Sequence, residues 1–312
     1  MKELIVPGID GSEALGFLAG LGILRISSLR DSNVRMNWLP EGGLWHPLYT
    51  WSGSSSIGNL EELSETLSSR LLAYAQPADF GVAHLGEKIG VEPDIFRRHA
   101  ENAVKMYLEN TGSGEEERDW ELVAAMLSAS GSDGVIDDKG NIAYTSISFS
   151  NGGSAQLLLK DFKNAASLCT AEIVLAGLQG QPELFEITSL NWDPRDQRSA
   201  AHRWKDPAKE KALVDPVVNA LAYIGMSYLT AMPYGTLKTI GWRYEKPRGF
   251  QWPLWRHPLT AEILTALLAQ CADWESALEL GIEEIRFSEA INPDGKRNYF
   301  APSRSLVWNA GK

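Results

Sequence analysis

The sequence has almost no cysteine: two residues in 312, Cys169 and Cys271, each within an apolar helical pattern. That excludes a disulfide framework and a zinc-ligand spacing, and the expected setting is a reducing cytoplasm. Long apolar runs are also missing, since none approaches the roughly 20 residues that span a bilayer. The nearest, Ala14 to Ile26, follows Asp10-Gly11-Ser12-Glu13, which looks like a helix start. It therefore reads as a buried helix and not as a secretory core, and the opening residues lead almost directly into a strand. Net positive charge is lacking as well, with a formal balance of −11.

Where that charge falls matters more than its sum. Residues 1–190 hold 13 basic and 26 acidic side chains, whereas residues 191–312 hold 16 basic and 14 acidic. A nucleic-acid binder usually carries a basic footprint, so the bulk charge argues against an independent high-affinity DNA binder. The second half can carry a local footprint, and the acidic first half suits a basic partner. Hydrophobic residues at 44% and charged residues at 22% are ordinary for a globular chain with a sizeable core.

The periodicities predict strands at 4–6, 35–39, 44–51, 142–149, 185–192, 237–244, 250–255 and 282–289, with short terminal β segments at 298–300 and 306–308. Helices are predicted from about Ser12 to Ser28, at 60–74, 93–108 and 120–129, from about Ala155, and at 217–231 and 260–272. Asp10 or Ser12 can cap the first helix, and Pro216 suits the first turn of a later one. Strands and helices alternate irregularly. The expected class is therefore α+β, a mixed or antiparallel sheet packed with helices, in one domain over 1–312 with a helical block at 57–130.

Leu190 to Pro207 packs two tryptophans, three arginines, one histidine and three aspartates into eighteen residues. Arginine presents a planar fork suited to phosphate, and tryptophan a face on which a base can stack. On this reading Arg195, Arg198, His202, Arg203 and Lys205 contact nucleic acid. Equally, Asp193 and Asp196 can pair with Arg195, Arg198 or Arg203 and simply fix the loop. A catalytic alternative takes Asp193, Asp196 and His202 as metal ligands or acid–base groups. No second cluster supports it, because His46, His84, His99 and His257 are scattered, so neither metal nor cofactor is expected. Farther along, Lys238, Arg243, Lys246 and Arg248 interleave with Trp242, Phe250, Trp252 and Trp255. Lys296, Arg297 and Arg304 flank Tyr299 and Phe300, a second candidate surface for RNA. The turns Gly8–Ser12 and Asn151–Ser154 place amides where an anion can bind, or act only as caps. Neither matches a phosphate-binding loop or a dinucleotide fingerprint.

Three stretches carry a resemblance. Pro7-Gly8-Ile9-Asp10-Gly11-Ser12-Glu13-Ala14-Leu15-Gly16 through Arg25 resembles the opening of proteins encoded beside type I CRISPR systems, subtype I-G (formerly I-U). Asn191-Trp192-Asp193-Pro194 through Arg203-Trp204-Lys205-Asp206-Pro207, and Phe250-Gln251-Trp252-Pro253-Leu254-Trp255, look like signatures of the same family. The resemblance implies an accessory or effector-complex subunit in antiviral defence, beside the crRNA-binding backbone and the helicase–nuclease. Its partners would be effector subunits and guide RNA or target DNA, with no membrane. Rival readings are a metal-dependent nuclease or phosphodiesterase and a protein–protein scaffold. The glycine-rich helix, the Trp192 segment and the Trp252–Trp255 strand are expected to lie near one another.

Overall fold

Ala14 to Arg30 is apolar on every side, so as a helix it has no face to give to water and must be enclosed. In the computed structural model, which describes residues 2–52, 57–76, 91–148, 158–196, 212–270, 281–292 and 298–308, fifteen of its seventeen residues are buried. In chain order the elements begin with β1 (Lys2–Ile5), α1 (Ala14–Arg30), β2 (Arg35–Glu41), β3 (Leu44–Trp51), α2 (Leu60–Ala75), α3 (Pro93–Glu109) and α4 (Glu115–Ser130). Then come β4 (Gly131–Ile136), β5 (Ile142–Tyr144), α5 (Leu158–Ala166), α6 (Ala171–Leu178), β6 (Phe185–Ile187), β7 (Ala212–Val214) and α7 (Pro216–Gly225). The last are β8 (Ala231–Tyr234), β9 (Thr236–Thr239), β10 (Trp242–Arg243), β11 (Gly249–Trp255), α8 (Ala261–Gln270), β12 (Ile282–Ile291), β13 (Tyr299–Phe300) and β14 (Arg304–Trp308). The class is α+β with antiparallel sheets. Among the described residues no helix is long and apolar enough to cross a membrane.

Two sheets enclose α1. One has the order β1-β3-β2; the other runs β10-β11-β12-β13, with β14 also paired to β12. Trp38 of the first sheet stacks on Phe17 of α1 at 5.8 Å, and Tyr49 donates its hydroxyl to the Gly20 carbonyl at 2.7 Å. From the second, Trp252 and Trp255 close on Phe17 at 5.9 and 6.4 Å. Buried indoles need partners for their N–H groups. Trp252 donates to the Gly11 carbonyl and Trp255 to the Met36 carbonyl, 2.8 and 2.9 Å. These two bonds, with the Met36–Leu259 bridge, fasten the sheets together around the helix.

On its remaining side α1 meets α7 at glycine contacts. A Cβ on Gly22 would stand 1.9 Å from the Leu221 carbonyl oxygen, and one on Gly225 would stand 1.9 Å from that of Leu18. The α1 glycines thus admit a helix as well as a sheet, since Gly20 faces Trp38 and Met36 of β2. The expected cap does not form: Glu13 is the N-cap residue and makes no side-chain cap bond. Asp10 is engaged elsewhere, its Oδ1 accepting from the amides of Ser12 and Trp45 at 2.9 and 3.2 Å. Asp215 does cap α7, accepting from Val217 and Val218.

Several segments end earlier than their patterns suggest. The 142–149 strand stops at Tyr144, because Thr145 and Ser146 bond to the Thr239 hydroxyl instead of a strand backbone. The 217–231 helix stops at Gly225, passes through a 3₁₀ turn at 226–228 and enters β8, where Pro233 cannot continue a helix.

A buried polar chain ties the N-terminal turn to the last strands. Trp45 donates to Glu284 Oε2 at 2.6 Å, Arg286 donates to Glu284 Oε1 at 2.9 Å, and the other Arg286 Nη donates to Ser303 Oγ at 2.6 Å. Ser303 in turn donates its hydroxyl to the Ser12 carbonyl and its amide to Glu13 Oε2. Burial pushes the Glu13 carboxyl up from its ordinary value, although Ser303 and Arg286 oppose it.

Gly22→Ala separates helix propensity from packing. In an open helix the change would add up to about 1 kcal/mol. Here the methyl meets Leu221, and a loss of roughly 1–3 kcal/mol or more is expected in urea denaturation. Asp161, buried in α5, has its carboxyl raised by desolvation from 3.8 to about 7, with Lys160 opposing. The folded state therefore holds that proton when the unfolded chain has lost it, and stability falls as pH rises from about 4 to about 7. Asp161→Asn should stabilise by a few kcal/mol at pH 8 and change little at pH 4, as read by denaturation at the two pH values.

Candidate nucleic-acid interface

The basic and aromatic residues of the second half assemble around two rings, Tyr244 and Phe287. Residues 237–244 do not form one strand. At Gly241, φ is +76°, and a Cβ there would meet the Phe250 ring at 2.6 Å; the chain turns at this point. Thus β9 pairs with β8, and only Trp242 and Arg243 pair with β11. The Tyr244 hydroxyl fastens the two parts: it accepts from the Thr239 amide at 2.7 Å, donates to the Leu237 carbonyl at 3.0 Å, and lies 3.1 Å from Ser146 Oγ. Held this way, the ring carries the Lys238 ammonium 4.0 Å from its centroid, while Arg248 Nε donates to the Tyr244 carbonyl at 3.1 Å.

The second ring lies on the sheet. Register places Arg243 opposite Gly249, Gln251 opposite Phe287, and Phe287 opposite Arg304. Gly249 has no side chain, and a Cβ there would stand 2.1 Å from the Ser288 carbonyl oxygen and 2.9 Å from the Phe287 ring. Phe287 is buried, yet two guanidinium groups cover it, Arg243 at 6.0 Å and Arg304 at 5.5 Å. A cation over an aromatic face is worth about 0.5–1 kcal/mol at an exposed site. Among the described residues, Lys238, Arg243, Arg248 and Arg304 have no carboxylate at ion-pair distance. Lys246 lies beside them, and the nearby carboxylates Glu245 and Glu289 are exposed.

The Asn191–Lys211 segment divides into two parts. It leaves from β6, which pairs with β7 on its return, so the strand expected through Trp192 ends at Ile187. Asn191 adopts φ +61°. Trp192 is fully buried and donates its indole N–H to the Ile147 carbonyl at 2.9 Å. The Asp193 carboxylate receives the Arg195 amide, Nε and Nη2 at 2.5–3.0 Å. Arg195 is thus self-paired, although its side chain is 88% exposed. Arg198, His202, Arg203, Lys205, Lys296 and Arg297 lie outside the described residues, as does the Asn151–Ser154 turn. So does His202 of the catalytic alternative, and nothing is described of the Asp196 side chain. Asp193 has both oxygens on Arg195. Among the described residues no group of three His, Cys, Asp or Glu is placed to hold a metal ion.

In the Gly8–Ser12 turn the amides of Gly8, Ile9, Gly11 and Ser12 are already engaged within the protein. Gly8 donates to Leu178, Gly11 to Trp45, and Ser12 to the Asp10 carboxylate. The first and third resembling stretches touch directly, and the Asn191 stretch is linked to the third through Phe300. Phe17 touches Trp252, Phe250 stacks on Phe300 at 6.1 Å, and the Phe300 amide donates to the Asn191 carbonyl. Sequence reasoning missed the buried Glu284–Arg286 pair, whose signal was the i, i+2 spacing that puts both on one face of β12.

No protein-family model matches the chain, and no curated protein matches it.

Tyr244→Phe removes a hydroxyl with three partners and leaves the Thr239 amide and the Leu237 carbonyl without it. A loss of about 1–3 kcal/mol is expected in chemical denaturation.

Proposed function

We propose that this chain is a non-catalytic, cytoplasmic subunit of the CRISPR effector-complex type that contacts guide RNA or target DNA. The observation that carries the nucleic-acid part is the placement of Lys238, Arg243 and Arg304 over two aromatic rings, with Arg248 on the Tyr244 carbonyl and, among the described residues, no carboxylate at ion-pair distance from any of the four. These four come from β9, β10, the approach to β11, and β14, so their convergence is a product of the fold and not of one charged run. The resemblance of the three sequence stretches supplies the setting. The charge division supports a chain that docks through its acidic first half on basic partner subunits and offers one basic edge to a phosphate backbone.

Four phosphate contacts to a single strand predict a slope of roughly −3 in log K against log salt. Filter binding of labelled single-stranded RNA and DNA over a salt series measures it. The triple variant Lys238→Gln, Arg248→Gln, Arg304→Gln should bind more weakly and flatten the slope by about 2, with its fold checked by circular dichroism. A slope near zero, or a triple variant that binds like the unaltered chain, would remove the nucleic-acid reading and leave a scaffold.

A further inference from the structure

Tyr234 is 82% exposed, the most exposed large hydrophobic side chain among the described residues. It stands at the end of β8, just before Gly235, where φ is +66° and the chain reverses into β9. The hairpin has two distinct faces. Ala231, Leu237 and Thr239 are buried on the inner one. There the Thr239 hydroxyl meets Thr145, and Pro233 rests against Gly134 of β4, 3.0 Å from where a side chain there would begin. Register places Met232 opposite Lys238 and Tyr234 opposite Thr236 on the outer face. Met232 is 45% exposed. The stem is therefore anchored while the aromatic tip reaches into solvent.

Such a ring adds little to the fold, because full exposure forgoes the burial that makes an aromatic stabilising. It has a chemical neighbour instead. Lys238 lies diagonally across the hairpin from Tyr234, a separation of about 7–8 Å between such positions, and Lys238 leads on to Tyr244 and Arg248. A phosphate backbone following those cations would bring its bases to the Tyr234 ring.

We propose that Tyr234 is a base-stacking platform and that the ligand of this edge is single-stranded nucleic acid. The inference rests on the nucleic-acid reading above and adds to it the strandedness of the ligand and a neutral contact. In a duplex the base faces are stacked on one another, so a protruding ring finds them only where bases are unpaired. Charge alone would attract both forms; the ring selects between them.

Fluorescence anisotropy with the full chain tests this. The probes are a labelled 20-nucleotide single strand of mixed sequence as RNA and as DNA, the matching duplex, and a single strand of the same length with its bases removed. Tyr234→Ala should weaken single-strand binding roughly 5- to 100-fold, the range for losing one stacked base. Tyr234→Phe should retain it. The salt slope should not change, because the ring is neutral. Binding to the duplex and to the abasic strand should be the same with and without the ring.

Three outcomes overturn the inference. If Tyr234→Ala binds the single strand normally while the triple cation variant does not, the nucleic-acid reading stands and the stacking role is gone. Equal losses on the abasic strand or the duplex would show that the tip acts by something other than stacking. If the unaltered chain binds none of the probes, both readings fall, and the exposed tip is left for a protein partner.

Discussion

Everything in this fold is arranged around a helix that cannot touch water. Almost the whole of α1 is buried, so its surroundings must close on all sides, and neighbours as unlike as Trp38, Trp252 and Leu221 are drawn to it. Where those neighbours are backbone, glycine is the residue that lets them in: Gly22 admits the Leu221 carbonyl and Gly225 admits that of Leu18. The one cation in its middle, Arg25, shows how tight the enclosure is. Its guanidinium bonds Ser227 and Glu121 and lies 4.4 Å from the Tyr228 ring centroid. An arginine left unpaired at that depth would cost several kcal/mol.

Closing two sheets over one helix brings the ends of the chain together, and the Glu284–Arg286 pair occupies that junction. Glu284 is 1% exposed, and both of its carboxylate oxygens are engaged, one by Trp45 and one by Arg286. Apolar residues of similar size would often be as stable. What a hydrogen-bonded pair adds is position. Trp45 comes from β3 and Ser303 lies next to β14, so the pair fixes how the first sheet meets the second. That in turn holds β12 and β14 in the register that sets Arg304 across from Phe287.

Much of this was legible from residues alone where one force dominates. The strand Leu44–Trp51 and the helices from Leu60 and Pro93 stand where hydrophobic spacing puts them. The patterns failed where side chains rather than period decided the path. Thr145 and Ser146 end a strand by bonding to Thr239, Gly241 breaks 237–244 by admitting Phe250, and Asp10 abandons its cap position to hold Trp45. Gly131–Ile136 forms a strand from Gly-Ser-Asp-Gly, residues with little strand propensity, because Tyr144 and Ala143 offer a partner. The site was legible as a list of cations and aromatics but not as pairs. No local rule joins Arg243 to Phe287 across two strands, and Tyr234 had no signal until its exposure was known.

The pairs are what give the list meaning, because three arginines of the second half illustrate three uses of one side chain. Arg286 is inward, its two Nη groups engaged by Glu284 and Ser303. Arg195 is outward, but Asp193 receives its Nε and Nη2, so an incoming phosphate would have to displace a carboxylate already in place. Arg304 is outward too, and its guanidinium carbon lies 5.5 Å from the centroid of the Phe287 ring. An aromatic ring positions a guanidinium without neutralising it, whereas a carboxylate does both. A surface built to bind anions gains from the first kind of support and loses by the second. Lys238 over Tyr244 and Arg243 over Phe287 repeat the same choice. Among the described residues these cations are therefore held by rings with no carboxylate at ion-pair distance, and the proposed nucleic-acid contact rests on that difference from Arg195 and Arg286.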